Sequence, residues 1–449
     1  MKTKVTFQCS NCGAIYPRWI GRCNYCGEWN TIAETVPFKE KTQKSSEKTT
    51  KFSPQKLTDI KINLYTRIPS GINEFDRVLG GGFLPGSVIL IAGEPGIGKS
   101  TLVLQILESI QKPSLYITGE ESYEQIKIRA NRLNIHSDEL QILCETNIET
   151  ISSLIENFPA TFFVVDSIQT LYTDELPSAP GSLQQVKETV TKLVHIVKQT
   201  NKIVLLIGHI NKEGNIAGPK ALEHIVDCVL SLEGERTSNL RVVRPLKNRF
   251  GSTFEIGLFE MSEFGLQELV EPSKILVSHT SLNNPGVAFS AFIEGNRSLA
   301  AEIQSLVSYS SYSIPQRNIN GYDFKRLQMI LAVLDKKINL KLRQSDVFVN
   351  ITGGIFISDT GIDLAIASSL FSSLNDVVIP SDIAIIGEIG LTGEVRNILS
   401  IDKRIIELEK LGFRRIVVPK SSKRNLIQKT KSKIIQVEKV SEAFNYIFG

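Results

Sequence analysis

Residues 87–107 read as strand, glycine-rich turn and helix, and this order constrains the fold more than any other stretch of the chain. Residues 87–92 (SVILIA) are a run of β-branched and aliphatic side chains with the length of a buried strand. The run enters Gly93, Glu94, Pro95, Gly96, Ile97, Gly98, Lys99 and Ser100, which satisfies GxxxxGK[ST] at every position. Thr101 and the apolar residues after it continue as a helix. Such a turn lets successive backbone N–H groups wrap a polyphosphate, and the helix adds the positive end of its dipole. The expectation is an α/β core with a mostly parallel sheet, binding ATP through Gly93 to Thr101. Lys99 should reach the β and γ phosphates, and the Ser100 hydroxyl should ligate Mg²⁺.

Two more strands point at the same chemistry. Residues 161–166 (TFFVVD) are an apolar run ending in an acid, so Asp166 is expected to hold Mg²⁺. Residues 114–118 (SLYIT) end at Gly119, Glu120 and Glu121. A carboxylate there can act as general base on an attacking water, or the two acids can simply be solvated. Residues 203–209 (IVLLIGH) carry His209 to the end of another core strand, as a γ-phosphate sensor or a structural histidine. Between these strands Leu183, Val186, Val190, Leu193 and Val197 recur at helical spacing and mark a core-facing helix.

Four of the six cysteines fall within the first 26 residues as Cys9-x-x-Cys12 and Cys23-x-x-Cys26. Each pair can turn two thiolates onto one ion, and four thiolates in a tetrahedron suit Zn²⁺. Gly13 and Gly27 follow the pairs, where the turns call for positive φ. Without metal so short a segment has too little core to fold. Cys144 and Cys228 sit in apolar surroundings and read as small buried hydrophobes.

A chain of 449 residues with 42% apolar content calls for two or three globular domains. The net charge of +4 permits an anionic partner without demanding one. No apolar run approaches the ~18 residues of a membrane span, and the N-terminus lacks a secretory apolar region. The expected location is cytoplasmic. Residues 36–57, rich in Lys, Ser, Thr and Glu, read as a flexible linker.

Together these residues resemble the RecA superfamily, and within it the RadA (Sms) family of bacterial DNA repair proteins. The resemblance spans essentially the whole chain. It includes residues 26–31 (CGEWNT), 116–122 (YITGEES), 217–224 (AGPKALEH) and 247–251 (KNRFG). It implies an N-terminal zinc ribbon (1–35), the linker (36–57), a RecA-like P-loop ATPase core (58–270) and a C-terminal Lon-protease-like α/β domain (271–449). In RecA-like ATPases a catalytic Glu ends the strand after the P-loop helix. Glu120 falls in that slot, with Glu121 as neighbouring candidate. RecA recombinases have Gln at the sensing strand end. This chain has His209, as RadA-type proteins do, so strand exchange is not carried over. Lys247 and Arg249 form a K-x-R pair of the kind that reaches the adjacent subunit's nucleotide in ring helicases, and in RadA-type proteins the motif also bears on DNA binding. The loops at 168–182 and 211–220, the second with Lys212 and Lys220, could face a central DNA channel.

The same resemblance frames the C-terminal half. Lon proteases use a Ser–Lys dyad. Residues 358–363 (SDTGID) correspond to the nucleophile frame with no serine in its slot, and residues 387–393 (GEIGLTG) begin the lysine frame, which places Asp402 in the lysine slot and Lys403 one residue late. The domain is expected to be proteolytically inactive; only Thr360 or a re-registered Lys403 could rescue a dyad. It could serve in oligomerisation or DNA binding through Lys325, Arg326, Lys336, Lys337, Lys341, Arg343 and Arg396. A helix over 324–335 should bury Leu327, Ile330, Leu331 and Leu334. The implied activity is that of a DNA-dependent ATPase, a helicase-like branch-migration motor on recombination intermediates. The implied partners are single-stranded and branched DNA, a RecA recombinase and further copies in a hexameric ring. An ATP-dependent protease and an ATP-gated DNA clamp are the rival readings.

Overall fold

Strands that are buried on both faces cannot alternate polar with apolar side chains, and the run expected at 87–92 is such a strand. The computed structural model describes residues 6–35, 67–209, 219–234, 239–277, 284–310, 314–420 and 430–449. The expected linker at 36–57 and most of the loop at 211–220, Lys212 included, lie outside these residues. The chain divides into two compact units. The first is Met1–Leu232 with Pro245–Gly251 and Glu263–Gly265; the second is Glu233–Arg244 with Ser252–Ser262 and Leu266–Gly449. No helix among the described residues is long and apolar enough to cross a membrane.

In the first unit the ribbon has strands β1 (Thr6–Cys9), β2 (Ile15–Tyr16) and β3 (Ile32–Thr35), with β1 antiparallel to both others. Gly13 and Gly27 have φ of +78° and +77°, as the turns after each cysteine pair require. The rest of the unit alternates strand and helix: α1 (Asn73–Leu79), β4 (Val88–Gly93), α2 (Lys99–Ile110), β5 (Ser114–Thr118), α3 (Tyr123–Arg132), β6 (Leu140–Cys144), α4 (Ile148–Asn157), β7 (Phe162–Asp166), α5 (Leu183–Thr200), β8 (Ile203–His209), α6 (Pro219–Leu222) and β9 (Cys228–Glu233). The strand order β9-β4-β8-β7-β5-β6 is parallel throughout. Strands β4, β5 and β7 are buried at every position. Helix α5 buries Val186, Val190, Leu193 and Val197 against that sheet, while Leu183 is only half-buried.

One sequence expectation fails here. Cys228 is buried, but Cys144 is exposed. It ends β6, the last strand of the sheet order, so only one side of it is paired and its neighbours do not cover it.

The second unit begins with β10 (Leu240–Asn248), which crosses back into the first from Pro245 on, β11 (Gly257–Ser262) and β12 (Gly265–Glu268). Then follow α7 (Pro272–Leu276), β13 (Val287–Glu294), β14 (Arg297–Tyr309), β15 (Arg317–Asn320), α8 (Phe324–Val333), β16 (Ser345–Ile351) and α9 (Asp363–Asn375). The chain ends with β17 (Ile383–Ile385), β18 (Glu388–Ile389), β19 (Val395–Arg396), α10 (Ile401–Lys410), β20 (Arg415–Pro419), β21 (Lys433–Val437) and α11 (Val440–Phe448). A mixed sheet β13-β14-β16-β15 and a parallel sheet β17-β20-β21 share a core with α8 and α9. Helix α8 buries Leu327, Ile330 and Leu331 as the periodicity requires, then widens into a π-turn at Leu334–Ile338 that buries Leu334. Arg326, one of the basic residues expected to be available for oligomerisation or DNA binding, is not presented to solvent. It turns inward onto the fully buried Asp363.

Candidate functional site

Parallel pairing fixes which strand ends become neighbours. The register sets Gly93 beside His209, Asp166 beside Ile207 and Thr118 beside Asp166. Segments separated by up to about a hundred residues thus deliver their polar termini to one edge, the carboxyl edge where α/β sheets bind ligands. The turn between β4 and α2 has Gly96 and Gly98 at φ of +79° and +115°, conformations that side-chain-bearing residues rarely adopt.

The Lys99 ammonium donates to the Gly93 and Glu94 carbonyls, both at 2.9 Å, and lies 3.1 Å from His209 Nδ1. The other ring nitrogen, Nε2, lies 3.3 Å from Glu120 Oε1. The tautomer with its proton on Nε2 satisfies both contacts: Nδ1 accepts from the ammonium and Nε2 donates to the carboxylate. Glu120 also accepts from the Ser167 hydroxyl. Burial pulls the Lys99 pKa down to about 8, against the opposing pull of Asp166 and Glu120. The His209 and Glu120 side chains keep 31% and 38% of their surface exposed, so both are open to an incoming group.

Glu121 goes elsewhere. Its backbone N–H shares the Thr118 hydroxyl with that of Glu120, but its carboxylate pairs with Arg129 on α3. The two adjacent acids, equivalent in sequence, are therefore separated: one faces the P-loop lysine's neighbours and the other is tied to a helix.

Sequence reasoning missed Tyr116. It is fully buried in β5, donates its hydroxyl to Asp166 and also hydrogen-bonds Ser100. Burial and the adjacent carboxylate push its pKa well above the ordinary phenol value, so it stays a neutral donor. The available signal was a hydroxyl-bearing ring between two aliphatic residues, Leu115 and Ile117, two residues before the polar strand end. Tyr116 bridges the two side chains expected to hold Mg²⁺, and these fit that role as a hydroxyl and a carboxylate brought to one tyrosine.

Lys247 and Arg249 do not reach this chain's own P-loop residues. Lys247 donates to the Glu223 and Val226 carbonyls, the latter at 2.9 Å. Arg249 contacts Asp227 Oδ1 and the His224 carbonyl, both at 3.2 Å. Asn248 between them offers its amide to the Val78 and Leu79 carbonyls at the end of α1, which lack helical partners of their own. The loop at 168–182 is held by the buried Gln185, whose amide donates to the Thr173, Leu176 and Ser178 carbonyls.

The four ribbon thiols form one cluster, all within 4.8 Å of one another. The Cys9–Cys26 and Cys12–Cys23 sulfur pairs lie 3.7 and 3.4 Å apart. A tetrahedron with Zn–S bonds of about 2.3 Å has sulfur–sulfur edges of about 3.8 Å, so the donor set fits zinc. All four positions are filled by protein sulfur, which marks a structural site.

In the second unit the residues matching a protease dyad frame are closed on themselves. Thr360 Oγ1 donates to Glu388 at 2.6 Å, and Lys403 donates to the Asn296 carbonyl at 3.0 Å. Arg404, which the sequence did not single out, is 2% exposed. It binds Asp359 Oδ2 at 2.6 Å and the Ala291 carbonyl at 2.7 Å. A Cβ added at Gly361 would lie 2.5 Å from its Nη1. The guanidinium fills the space that a side chain at 361 would need.

A parallel sheet with a complete phosphate-binding turn, and with acid and histidine strand ends meeting beside its lysine, defines a RecA-like P-loop ATPase. The KaiC ATPase family matches residues 68–143 and 137–250. The rubredoxin metal-binding domain family matches residues 7–34, and the family of subunit ChlI of Mg-chelatase matches residues 305–422. The DNA repair protein RadA of Bacillus subtilis is 43% identical, covering 100% of this chain and 99% of its own length. RadA of Streptococcus pyogenes is 40% identical over 100% of both chains, and RadA of Pseudomonas aeruginosa is 42% identical over 93% of both. The chain belongs to the RadA family of DNA repair proteins. Its zinc ribbon, RecA-like ATPase domain and Lon-like C-terminal domain are those the resemblance implied.

Proposed function

We propose that this chain is a DNA-stimulated ATP hydrolase that works as a branch-migration motor on recombination intermediates in the cytoplasm. The contact chain Lys99–His209–Glu120–Ser167 supports the hydrolytic reading most directly. It links the phosphate-binding lysine to a carboxylate that is still open to solvent. In this reading residues 93–101 cradle the phosphates and Lys99 neutralises the β and γ charge. Ser100 and Asp166 hold Mg²⁺, which offsets phosphate charge when bound. Glu120 takes the proton of the attacking water. His209 touches both Lys99 and Glu120, so a shift of one is felt by the other. Glu120 is preferred over Glu121 because Glu121 is paired with Arg129.

Lys247 and Arg249 act on the nucleotide of the next subunit in a hexameric ring, which accounts for their lying away from their own P-loop residues. Residues 1–35, 58–270 and 271–449 form the ribbon, motor and Lon-like domains. The last is proteolytically inactive, because Thr360 and Lys403 have other partners and Arg404 fills the space at 361. Partners are single-stranded and branched DNA and a RecA recombinase. The test is ATPase rate with and without single-stranded DNA, alongside unwinding of a forked duplex. Turnover that DNA does not stimulate points to a clamp, and casein cleavage to a protease. Either result overturns the motor.

A further inference from the structure

The chain has two tryptophans, Trp19 and Trp29, and both lie in the ribbon. Tryptophan is highly buried on average in folded proteins, yet these two leave 56% and 67% of their surface exposed. Neither belongs to the small ribbon core around Cys9, Cys23 and Ile32. Their positions are nonetheless held. Trp19 Nε1 donates to the Ile32 carbonyl at 3.0 Å. The Arg22 guanidinium lies over the Trp29 ring at 5.7 Å, while its Nε donates to the Gly27 carbonyl at 2.8 Å.

The two rings converge on Gly21. A Cβ there would lie 3.7 Å from Trp19 Cη2 and 3.9 Å from Trp29 Cζ3. Glycine therefore leaves a floor without a side chain between two exposed aromatic planes. Among the described residues, Arg22 has no carboxylate partner, and its terminal nitrogens remain free to donate.

We propose that Trp19, Trp29 and Arg22 form a stacking platform for the bases of single-stranded DNA. The proposal rests on the DNA-motor reading and gives the ribbon a direct part in it. Every base presents a π-face, so aromatic planes bind strand without regard to sequence, as a translocating protein requires. A guanidinium beside the rings supplies the phosphate contact. Rings already fixed in the free protein lose little freedom on binding. A peptide side chain could also sit between the rings, but it would leave the Arg22 donors facing no anion, so the nucleic-acid strand is the better match.

The chain's composition provides the test, because intrinsic tryptophan emission reports on the ribbon alone. The zinc-loaded full chain is titrated with oligothymidylate of about 30 nucleotides, a length that spans several stacking sites. Labelled strand reports binding anywhere on the protein by anisotropy, and unlabelled strand reports ribbon contact by tryptophan quenching. Quenching should track the anisotropy rise. Trp19→Ala with Trp29→Ala should weaken binding about tenfold at unchanged zinc content. Trp→Phe at both positions should keep most of the affinity, and Arg22→Ala or Gly21→Val should lose part of it. Binding by anisotropy without quenching, or alanine variants of undiminished affinity, overturns the platform and leaves the DNA motor standing. Absence of any anisotropy change overturns both. Quenching by a recombinase but not by DNA assigns the rings to a protein partner and also overturns the proposal.

Discussion

The strand ends beside the P-loop and the turn around Gly361 are both polar clusters inside α/β units, and they are built in opposite ways. In the first, Glu120 and His209 remain about a third exposed and reach toward Lys99. In the second, Arg404 and Asp359 are 2% and 15% exposed in their side chains and are saturated by each other and by backbone. A buried polar network whose members are all satisfied rigidifies a fold but offers nothing to a substrate. A site that does chemistry keeps some groups under-partnered and reachable. The cluster around Gly361 is thus built as a structural pin, whereas the one beside the P-loop leaves its polar groups reachable.

The largest expected effect breaks the open site outright. Lys99→Ala or Asp166→Asn should reduce ATP turnover by about 10³-fold or more, measured by phosphate release. Retained turnover in either would show that the open cluster is not the catalytic one. Arg249→Ala should lose about 10³ in rate while still binding ATP. Mixing it with Lys99→Ala protein should restore part of the turnover, since some interfaces then pair an intact P-loop with an intact arginine. Verified mixed rings with no recovery would confine Arg249 to a role within its own chain.

Next in size is the separation of the two adjacent acids. Glu120→Gln should bind ATP and slow hydrolysis by about 10²-fold or more, because an amide cannot take a proton. Glu121→Gln should leave chemistry near normal and instead loosen α3 through Arg129. The reverse pattern would mean that the exposed acid of the open cluster is not the base. The closed cluster is probed by Arg404→Met, which leaves the Asp359 charge without its partner. It should cost about 3–5 kcal/mol in unfolding of the second unit, read by denaturant titration. A cost under about 1 kcal/mol would mean that the pin carries little of the fold.

The smallest effect is in pH. The free-protein Lys99 titrates near 8, below the usual lysine value, because burial outweighs its acidic neighbours. Bound phosphates favour the charged form, so nucleotide binding should take up a proton above neutral pH. ATP affinity should then fall, by at most about tenfold per pH unit, as pH rises past about 8. The stability term runs the other way. Between about 8 and 10.5 the folded chain binds fewer protons at this lysine than the unfolded one, so its contribution rises with pH. Calorimetry in buffers of differing ionisation heat checks the proton uptake; uptake unchanged in Lys99→Ala would assign it to another group.

By itself the sequence determined what short-range spacing controls. The phosphate-binding turn, the two cysteine pairs and the buried strands expected at 114–118, 161–166 and 203–209 follow from patterns only a few residues long, in which chain geometry places the atoms. Tertiary structure decided everything that depends on which distant surface a side chain meets. It pointed Glu120 and Glu121 to different partners, though they are neighbours in one chain. It set Tyr116 between Ser100 and Asp166, and Arg404 into the space beside Gly361. It exposed Cys144 at a sheet edge and both tryptophans on the ribbon, against what their apolar character alone suggests. The physical reason is the same in each case. Burial and pairing energies belong to contacts between segments far apart in sequence, and the residue type fixes only what a side chain can do once such a contact exists.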